Sequence, residues 1–294
     1  MSPAPASPID KPSTIRAVKD KAATVAVYAA FAIAVIPLIW ILYTVISKGA
    51  GLLFEPGWWQ NSQRGITARV EGGGAYHAIL GTLIQAAITA AIAVPIGIFT
   101  AVYLVEYGRG KLARWVSFTV DILTGIPSIV AALFIYAVWV TTFGFERVAF
   151  AVCLALVLLM IPVIVRSTEE MLKLVPNERR EASYALGVPK WKTIMSVVLP
   201  TAFSGIITGV LLGLARVMGE TAPLIILGPP SKAINGNPFD GFMAALPTMI
   251  NAERDQTLQP AVDRVWSAAL TLIVLVMLLN IAGRVISRFN KVSR

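Results

Sequence analysis

The sequence predicts an all-α protein: a polytopic membrane helix bundle of six transmembrane helices with one short helix on the cytoplasmic side. Three observations carry this prediction. Hydrophobic residues make up 56% of the 294 and charged residues 14%, with a mean hydropathy of +0.74; a soluble domain carries a far larger charged share. Six apolar runs reach the roughly 20 residues needed to cross about 30 Å of hydrocarbon. Between the fourth and fifth runs lie residues 181–200, EASYALGVPKWKTIMSVVLP, polar and broken by turns.

Residues 1–21 hold Pro3, Pro5, Pro8 and Pro12 among polar residues and read as a mobile cytoplasmic tail without a cleavable signal peptide. The first span is expected at 22–47. Residues 48–76 form an outer loop in which Trp58-Trp59 marks the membrane interface. Its Gly72-Gly73-Gly74 lacks the strand–loop–Lys-Ser/Thr context of a phosphate-cradling loop. The second span, 77–106, is long enough to tilt or project, with His77 read as an interfacial residue at its start. The third and fourth spans are placed at 115–142 and 148–165. Pro95, Pro127 and Pro162 fall inside these three spans. Each removes a backbone donor and bends its helix, which serves either packing geometry or a hinge. The fifth span is expected at 201–227 and the sixth at 264–286. The loop between them opens with Gly228-Pro229-Pro230 and contains Asn235-Gly236-Asn237-Pro238, both turn signals.

Basic residues set the orientation. With both termini inside, the cytoplasmic segments hold seventeen Lys and Arg and the outer segments seven, leaving Arg216 within a span. That bias predicts cytoplasmic termini and a cytoplasmic 181–200 segment. The formal charge of +9 is therefore a topological signature. No basic stripe interleaved with aromatics suggests nucleic acid. The single cysteine, Cys153, lies in an apolar run, so neither a disulfide framework nor a metal-ligand cluster is expected.

In the cytoplasmic segment, Pro176 and Gly187-Val188-Pro189 bracket a helix of about ten residues, Asn177–Leu186. Asn177 is the expected N-cap and Glu178 lies in the first turn, where acids favour the helix dipole. Ala182, Ala185 and Leu186 share one small, apolar face. Gly187 is placed to end the helix in the left-handed conformation. Such a helix suits docking into a groove on another protein. An interfacial helix lying on lipid, aided by Arg179, Arg180, Lys190, Lys192 and Trp191, is the competing use.

Two charges stand inside the fifth span. Arg216 and Glu220 are four apart and can pair on one helix face. From Thr201, Arg216 lies about 24 Å along a helix, beyond easy snorkelling from the inner surface. An unpaired charge near the bilayer centre costs at least about 2.5–3.5 kcal/mol. The pair serves either as helix glue or as a substrate path, and a guanidinium suits bidentate recognition of an oxyanion. Gly205, Gly209, Gly213 and Gly219 permit close helix approach. Arg166 and Glu169, ending the fourth span, repeat the theme, with lipid phosphates as the alternative partner of Arg166.

Two stretches carry a family resemblance. Glu181-Ala182-Ser183, then Gly187, then Leu199-Pro200, resembles the coupling signature of ATP-binding-cassette importer permeases, with Ser183 in place of the third small residue and Val197 in place of isoleucine. The run Arg216-Val217-Met218-Gly219-Glu220-Thr221-Ala222-Pro223-Leu224 resembles that of the phosphate-specific (PstA-type) branch, with Val217 where a small residue is usual. Further matches are Gly81-Thr82-Leu83, Pro95-Ile96-Gly97, Tyr103–Tyr107, Gly125–Val130, Trp266 and Asn280-Ile281-Ala282.

The resemblance covers about residues 77–288 and implies an importer transmembrane domain of helices two to six, in the bacterial inner membrane. It implies Arg216, Glu220, Thr221, Arg166 and Glu169 along the substrate path, and Glu181, Ala182, Gly187, Leu199 and Pro200 in coupling. The implied partners are a second, PstC-type permease subunit, two PstB-type ATPase subunits, and an extracytoplasmic PstS-type phosphate-binding protein. No Gly-x-x-x-x-Gly-Lys-Ser/Thr occurs in the chain, so ATP and Mg are expected on the ATPase subunits and no cofactor on this one. Competing readings are a permease for another oxyanion (molybdate or sulfate) and an ATP-independent secondary transporter. The latter leaves residues 181–200 unexplained. An intramembrane enzyme lacks a convergent catalytic set.

Overall fold

The computed structural model describes residues 14–289, and every regular element among them is helical. The proline-rich segment 1–13 lies outside the described residues. Residues to Ser47 and residues from Lys48 onward form two compact units.

The first unit is most of α1 (Thr14–Leu53), a 40-residue helix with Pro37 inside it. At 1.5 Å per residue it runs about 60 Å, twice the hydrocarbon thickness. The expected tail is thereby corrected, since residues 14–21 already belong to this helix. Thr14 to Asp20 contain no proline or glycine to stop it.

The second unit contains α2 (Pro56–Gln60), α3 (Tyr76–Val102), α4 (Gly110–Gly125), α5 (Ser128–Ile135) and α6 (Ala149–Lys173), followed by α7 (Asn177–Ala185), α8 (Lys190–Thr193), α9 (Leu199–Gly219), α10 (Ala222–Leu227), α11 (Leu246–Glu253) and α12 (Gln259–Phe289). Wider π turns extend α3 through Tyr107 and α5 through Thr142, and join α8 to α9 over Ile194–Val198. Five helical runs are long and apolar enough to cross a membrane, and a sixth if α4 and α5 count as one.

The core centres on α6, whose Ala151, Val152, Ala155, Leu156, Met160 and Ile164 are buried. Small residues let its neighbours approach. A Cβ at Gly209 would overlap the Ser167 hydroxyl, one at Gly205 the Met171 thioether, and one at Gly213 would lie 3.4 Å from Met160. This ladder seats α9 on α6 at four-residue steps, as close packing of membrane helices requires. On α3, Gly97 meets Ile164. Gly81 admits the extended chain before α11, and the Thr82 hydroxyl accepts the Leu246 N–H at 2.9 Å. A Cβ on Gly81 would overlap the Ala244 carbonyl and approach the Met243 side chain. Gly81→Ala is therefore expected to destabilise the protein by about 1–3 kcal/mol, read as a lower thermal midpoint of the purified complex.

Several expectations are corrected. The third span is not one helix: α4 and α5 meet at 108° across Ile126-Pro127, where Pro127 starts the new helix with an extended backbone. The fifth helical run begins at Lys190 and stops at Gly219, so the expected 201–227 span breaks before its end. Glu220 takes an extended conformation and Thr221 caps the separate α10. The fourth span extends to Lys173. Trp58 is not interfacial: it is 1% exposed and its indole N–H donates to the Thr271 hydroxyl at 2.9 Å. His77 is likewise buried rather than interfacial, beneath the start of α3. Trp58 packs with Ala75, Ala78, Ala244 and Leu246 at the starts of α3 and α11.

Candidate functional site

Four arginines, Arg166, Arg180, Arg216 and Arg264, differ in how completely this chain satisfies them. Arg264 on α12 is 1% exposed and fully engaged. Its guanidinium donates to Glu253 at 3.0 Å and to the Val70 and Thr67 carbonyls at 2.8 and 3.2 Å, tying the loop before α3 to α11. Arg166 on α6 donates to Glu169 at 2.6 Å, to the Ser117 carbonyl at 3.2 Å and to Asp121 on α4; Lys173 also holds Glu169, at 2.7 Å. Arg180 on α7 is engaged by Glu106 at 2.9 Å and by two backbone carbonyls.

Arg216 stands apart. Among the described residues its one partner is Glu220, at 3.5 Å from Nε, and neither terminal nitrogen of the guanidinium is used. The glycine ladder explains why. Gly209, Gly213 and Val217 face α6, which turns Ser204, Thr208, Leu212 and Arg216 onto an exposed stripe at four-residue spacing. The Arg216 side chain is 49% exposed and Glu220 16%. The expectation that the two share a helix face is corrected in detail. The helix ends between them, where the Glu220 N–H donates to the Val217 carbonyl at 3.2 Å, and the carboxylate reaches back to Arg216 from the break. Thr221 lies at the same break, its hydroxyl 3.4 Å from the Gly219 carbonyl. Arg216, Glu220 and Thr221 are thus brought together. Arg166 and Glu169 form a separate cluster with Asp121 and Lys173, and no hydrogen bond or ion pair among the described residues joins the two sets.

The segment after α6 takes its shape from proline and glycine. Pro176, with φ −58° and ψ 141°, is the residue that starts α7, so Asn177 is the first helical residue rather than the N-cap. The Asn177 side-chain oxygen instead accepts from Arg180 at 3.3 Å. At the other end Gly187 has φ +74°. Its N–H donates to the Tyr184 carbonyl at 2.9 Å and the Val188 N–H to that of Ser183 at 3.2 Å. These two bonds form a Schellman motif, which requires the left-handed residue. Glu181, Ala182, Ala185 and Leu186 are exposed, Leu186 by 83%, while Ser183 is buried against Thr193 at 2.8 Å. The small, apolar face is therefore turned away from this chain. Leu199 and Pro200, at the start of α9, are half-buried and carry the segment into the fifth helical run.

Glu106 and Asp121 carry no local sequence signal of the ion pairs they make. Glu106 lies in a π turn 74 residues before its partner and Asp121 is 45 before Arg166. No local spacing signals either pairing. The one available hint was an acid placed in an otherwise apolar run, which needs a partner when buried.

The chain matches the family model described as "Binding-protein-dependent transport system inner membrane component" over residues 93–291. It is 52% identical over 277 residues to the "Phosphate transport system permease protein PstA 1" of Mycobacterium tuberculosis (strain ATCC 25618 / H37Rv), covering 94% of this chain and 90% of that protein. It is 53% identical over 271 residues to "Phosphate transport system permease protein PstA" of Mycobacterium leprae (strain TN), covering 92% and 89%. Among solved structures, an inward-facing MetNI methionine ABC transporter chain superposes with a TM-score of 0.57 at 23% identity, covering 75% of this chain and 94% of that one. A chain of a bacterial ABC transporter involved in alginate import gives a TM-score of 0.64 at 14% identity, covering 95% and 100%. These likenesses to solved structures concern the fold.

Proposed function

The chain belongs to the family of binding-protein-dependent transport system inner membrane components, and from that premise we propose that it is the transmembrane permease subunit of an ATP-driven importer of inorganic phosphate. The relatives at 52–53% identity are named for phosphate transport. The observation that carries the substrate reading within this chain is the open fork of Arg216. Arg166, Arg180 and Arg264 are held by carboxylates and carbonyls, whereas Arg216 presents two nitrogens unused among the described residues, on an exposed stripe. A half-exposed guanidinium against lipid would be expensive, so this face borders a second permease subunit and the polar path between the two. Ser204 and Thr208 continue that stripe toward the 181–200 end.

Phosphate near neutral pH is an oxyanion that still carries a proton. The two free nitrogens of Arg216 suit two of its oxygens, and Glu220 accepts a hydrogen bond from its P–OH group. Sulfate offers no such donor, which favours phosphate over sulfate. Glu220 also tempers the charge of Arg216, so phosphate is held firmly enough to enter and weakly enough to leave.

Energy enters at the other end. Two ATPase subunits, each using ATP and Mg, receive the exposed face of α7 around Glu181, Ala182 and Leu186. Closure of those subunits shifts α7, and the Gly187 turn passes the movement through α8, Leu199 and Pro200 into α9, exposing Arg216 to alternate sides. A phosphate-binding protein delivers substrate from outside. The protein lies in a bacterial inner membrane with both termini cytoplasmic, in accord with the charge bias between loops.

The test is uptake of labelled phosphate by proteoliposomes containing the assembled complex with ATP enclosed. Uptake is expected to require ATP and the binding protein, and to persist in excess sulfate. Uptake driven by an ion gradient without ATP would refute the reading, as would equal transport of sulfate or molybdate.

A further inference from the structure

The coupling segment is small for its task. At nine residues, α7 is shorter than the roughly 12–15 at which an isolated helix holds its form in water, and Ser183 is its one buried residue. Its orientation must come from attachments to the bundle.

Arg180 supplies the strongest of these. Its Nε and Nη2 both donate to one Glu106 oxygen, at 3.1 and 2.9 Å. Its remaining donors meet the Val175 carbonyl at 2.6 Å and the Leu172 carbonyl at 3.0 Å. Those carbonyls lie at the end of α6, where backbone acceptors lack helical partners. The Arg180 side chain is 13% exposed and that of Glu106 6%. Glu106 itself projects from the π turn that ends α3. From the other side of the segment, Lys190 of α8 donates to the Glu106 carbonyl and lies 4.7 Å from the Tyr107 ring centre. The ends of α3, α6 and both short helices therefore meet at one buried ion pair. Among the described residues, Arg180–Glu106 is the one ion pair between α7 and α3.

We propose that Arg180 and Glu106 are a positioning pair that makes the coupling helix and the second span move as one body, so that displacement of α7 is delivered to α3 as well as along the chain into α9. The proposal rests on the reading of α7 as the ATPase-coupling helix. A buried ion pair is poor evidence of net stability, but it fixes geometry because breaking it strands a charge. Two donors converging on one carboxylate oxygen add directional constraint. Were Arg180 merely closing the end of α6, the Leu172 and Val175 carbonyls would suffice and the charge of Glu106 would be immaterial.

Glu106→Gln separates these roles, because it keeps the shape and an acceptor while removing the charge. In the assembled importer, two readouts apply: hydrogen exchange of the α7 amides, which does not depend on transport, and the ratio of ATPase rate with and without phosphate-loaded binding protein. Exchange of residues 178–185 is expected to quicken roughly tenfold, the equivalent of one lost charge-assisted contact, with the stimulation ratio falling toward one and basal ATPase retained. Arg180→Gln and the double variant Arg180→Gln with Glu106→Gln should lose stimulation no further than Glu106→Gln alone, as expected of a pair acting as a unit. Wild-type exchange, or a stimulation ratio within about twofold of wild type, in Glu106→Gln overturns the positioning pair. Unstimulated ATPase in the wild-type complex itself would instead sink the coupling reading, and with it the proposal, whatever the exchange data say about the pair.

Discussion

Arg216→Ala is expected to lower phosphate uptake by about 100-fold while leaving the complex assembled in the membrane, because it removes charge-assisted hydrogen bonds to the oxyanion worth about 1.5–3 kcal/mol each. Assembly should survive because, among the described residues, the one partner of Arg216 is Glu220 at 3.5 Å, and the packing of α9 depends on the opposite, glycine-bearing face. Arg216→Lys tests the fork itself. It keeps the positive charge but loses the planar pair of donors, and should transport poorly. The double variant Arg216→Ala with Glu220→Ala decides between glue and path. Joint removal of a purely structural pair is often nearly neutral, so uptake normalised to inserted complex would then recover. A substrate site does not recover. Restored uptake in the double variant would leave Arg216 as a helix contact and remove the central support for the path along α9.

Gly187→Val is expected to produce an inserted complex that hydrolyses ATP but no longer answers to the binding protein. Gly187 has φ +74°, and a Cβ there would meet nothing within 4 Å. The defect is therefore conformational rather than steric crowding. A left-handed backbone costs an L-residue about 1–2 kcal/mol, and more for a branched side chain. The strain falls on the two Schellman bonds that close α7, from Gly187 to Tyr184 and from Val188 to Ser183. Losing them frees the last turn, where Ala185 and Leu186 present the docking face. Gly187→Asn is the matched control, since asparagine tolerates this conformation and the site has room. It should retain most stimulation. Equal coupling in the Val and Asn variants would show that the left-handed turn is dispensable.

How much of this was visible in the sequence depended on whether the signal was local. The apolar runs, the position of the 181–200 segment and the left-handed Gly187 follow from periodicity and backbone sterics within a few residues, and each has its counterpart in the structure. The small residues at 205, 209 and 213 likewise foretold close packing, although not that α6 would be the partner. Helix ends were harder. Pro127 signalled a bend, but a turn of 108° depends on where α5 finds room against α10. Nothing around Gly219 distinguishes a kink from a stop, so Glu220 was expected within the helix. Pairings across the fold were invisible. Glu106 with Arg180, Asp121 with Arg166 and Trp58 with Thr271 join residues 74, 45 and 213 apart. Their identity depends on which helix ends the topology brings together.

The break after Gly219 has a consequence for where water goes. Val217 and Leu224, on either side of it, pack in the same buried cluster as Leu156 and Met160 of α6. The interruption therefore lies beside the middle of a spanning helix, not at a loop. At the break the Val217 carbonyl accepts the Glu220 N–H and the Gly219 carbonyl lies 3.4 Å from the Thr221 hydroxyl, whereas a carbonyl left without such a partner in hydrocarbon would cost several kcal/mol. Gly219 is exposed on the Arg216 side. The exposed backbone at Gly219 leaves this interruption open to water that enters along the Arg216 face. On the proposed path, an oxyanion arriving there exchanges part of its hydration shell for the Arg216 guanidinium rather than for bare hydrocarbon.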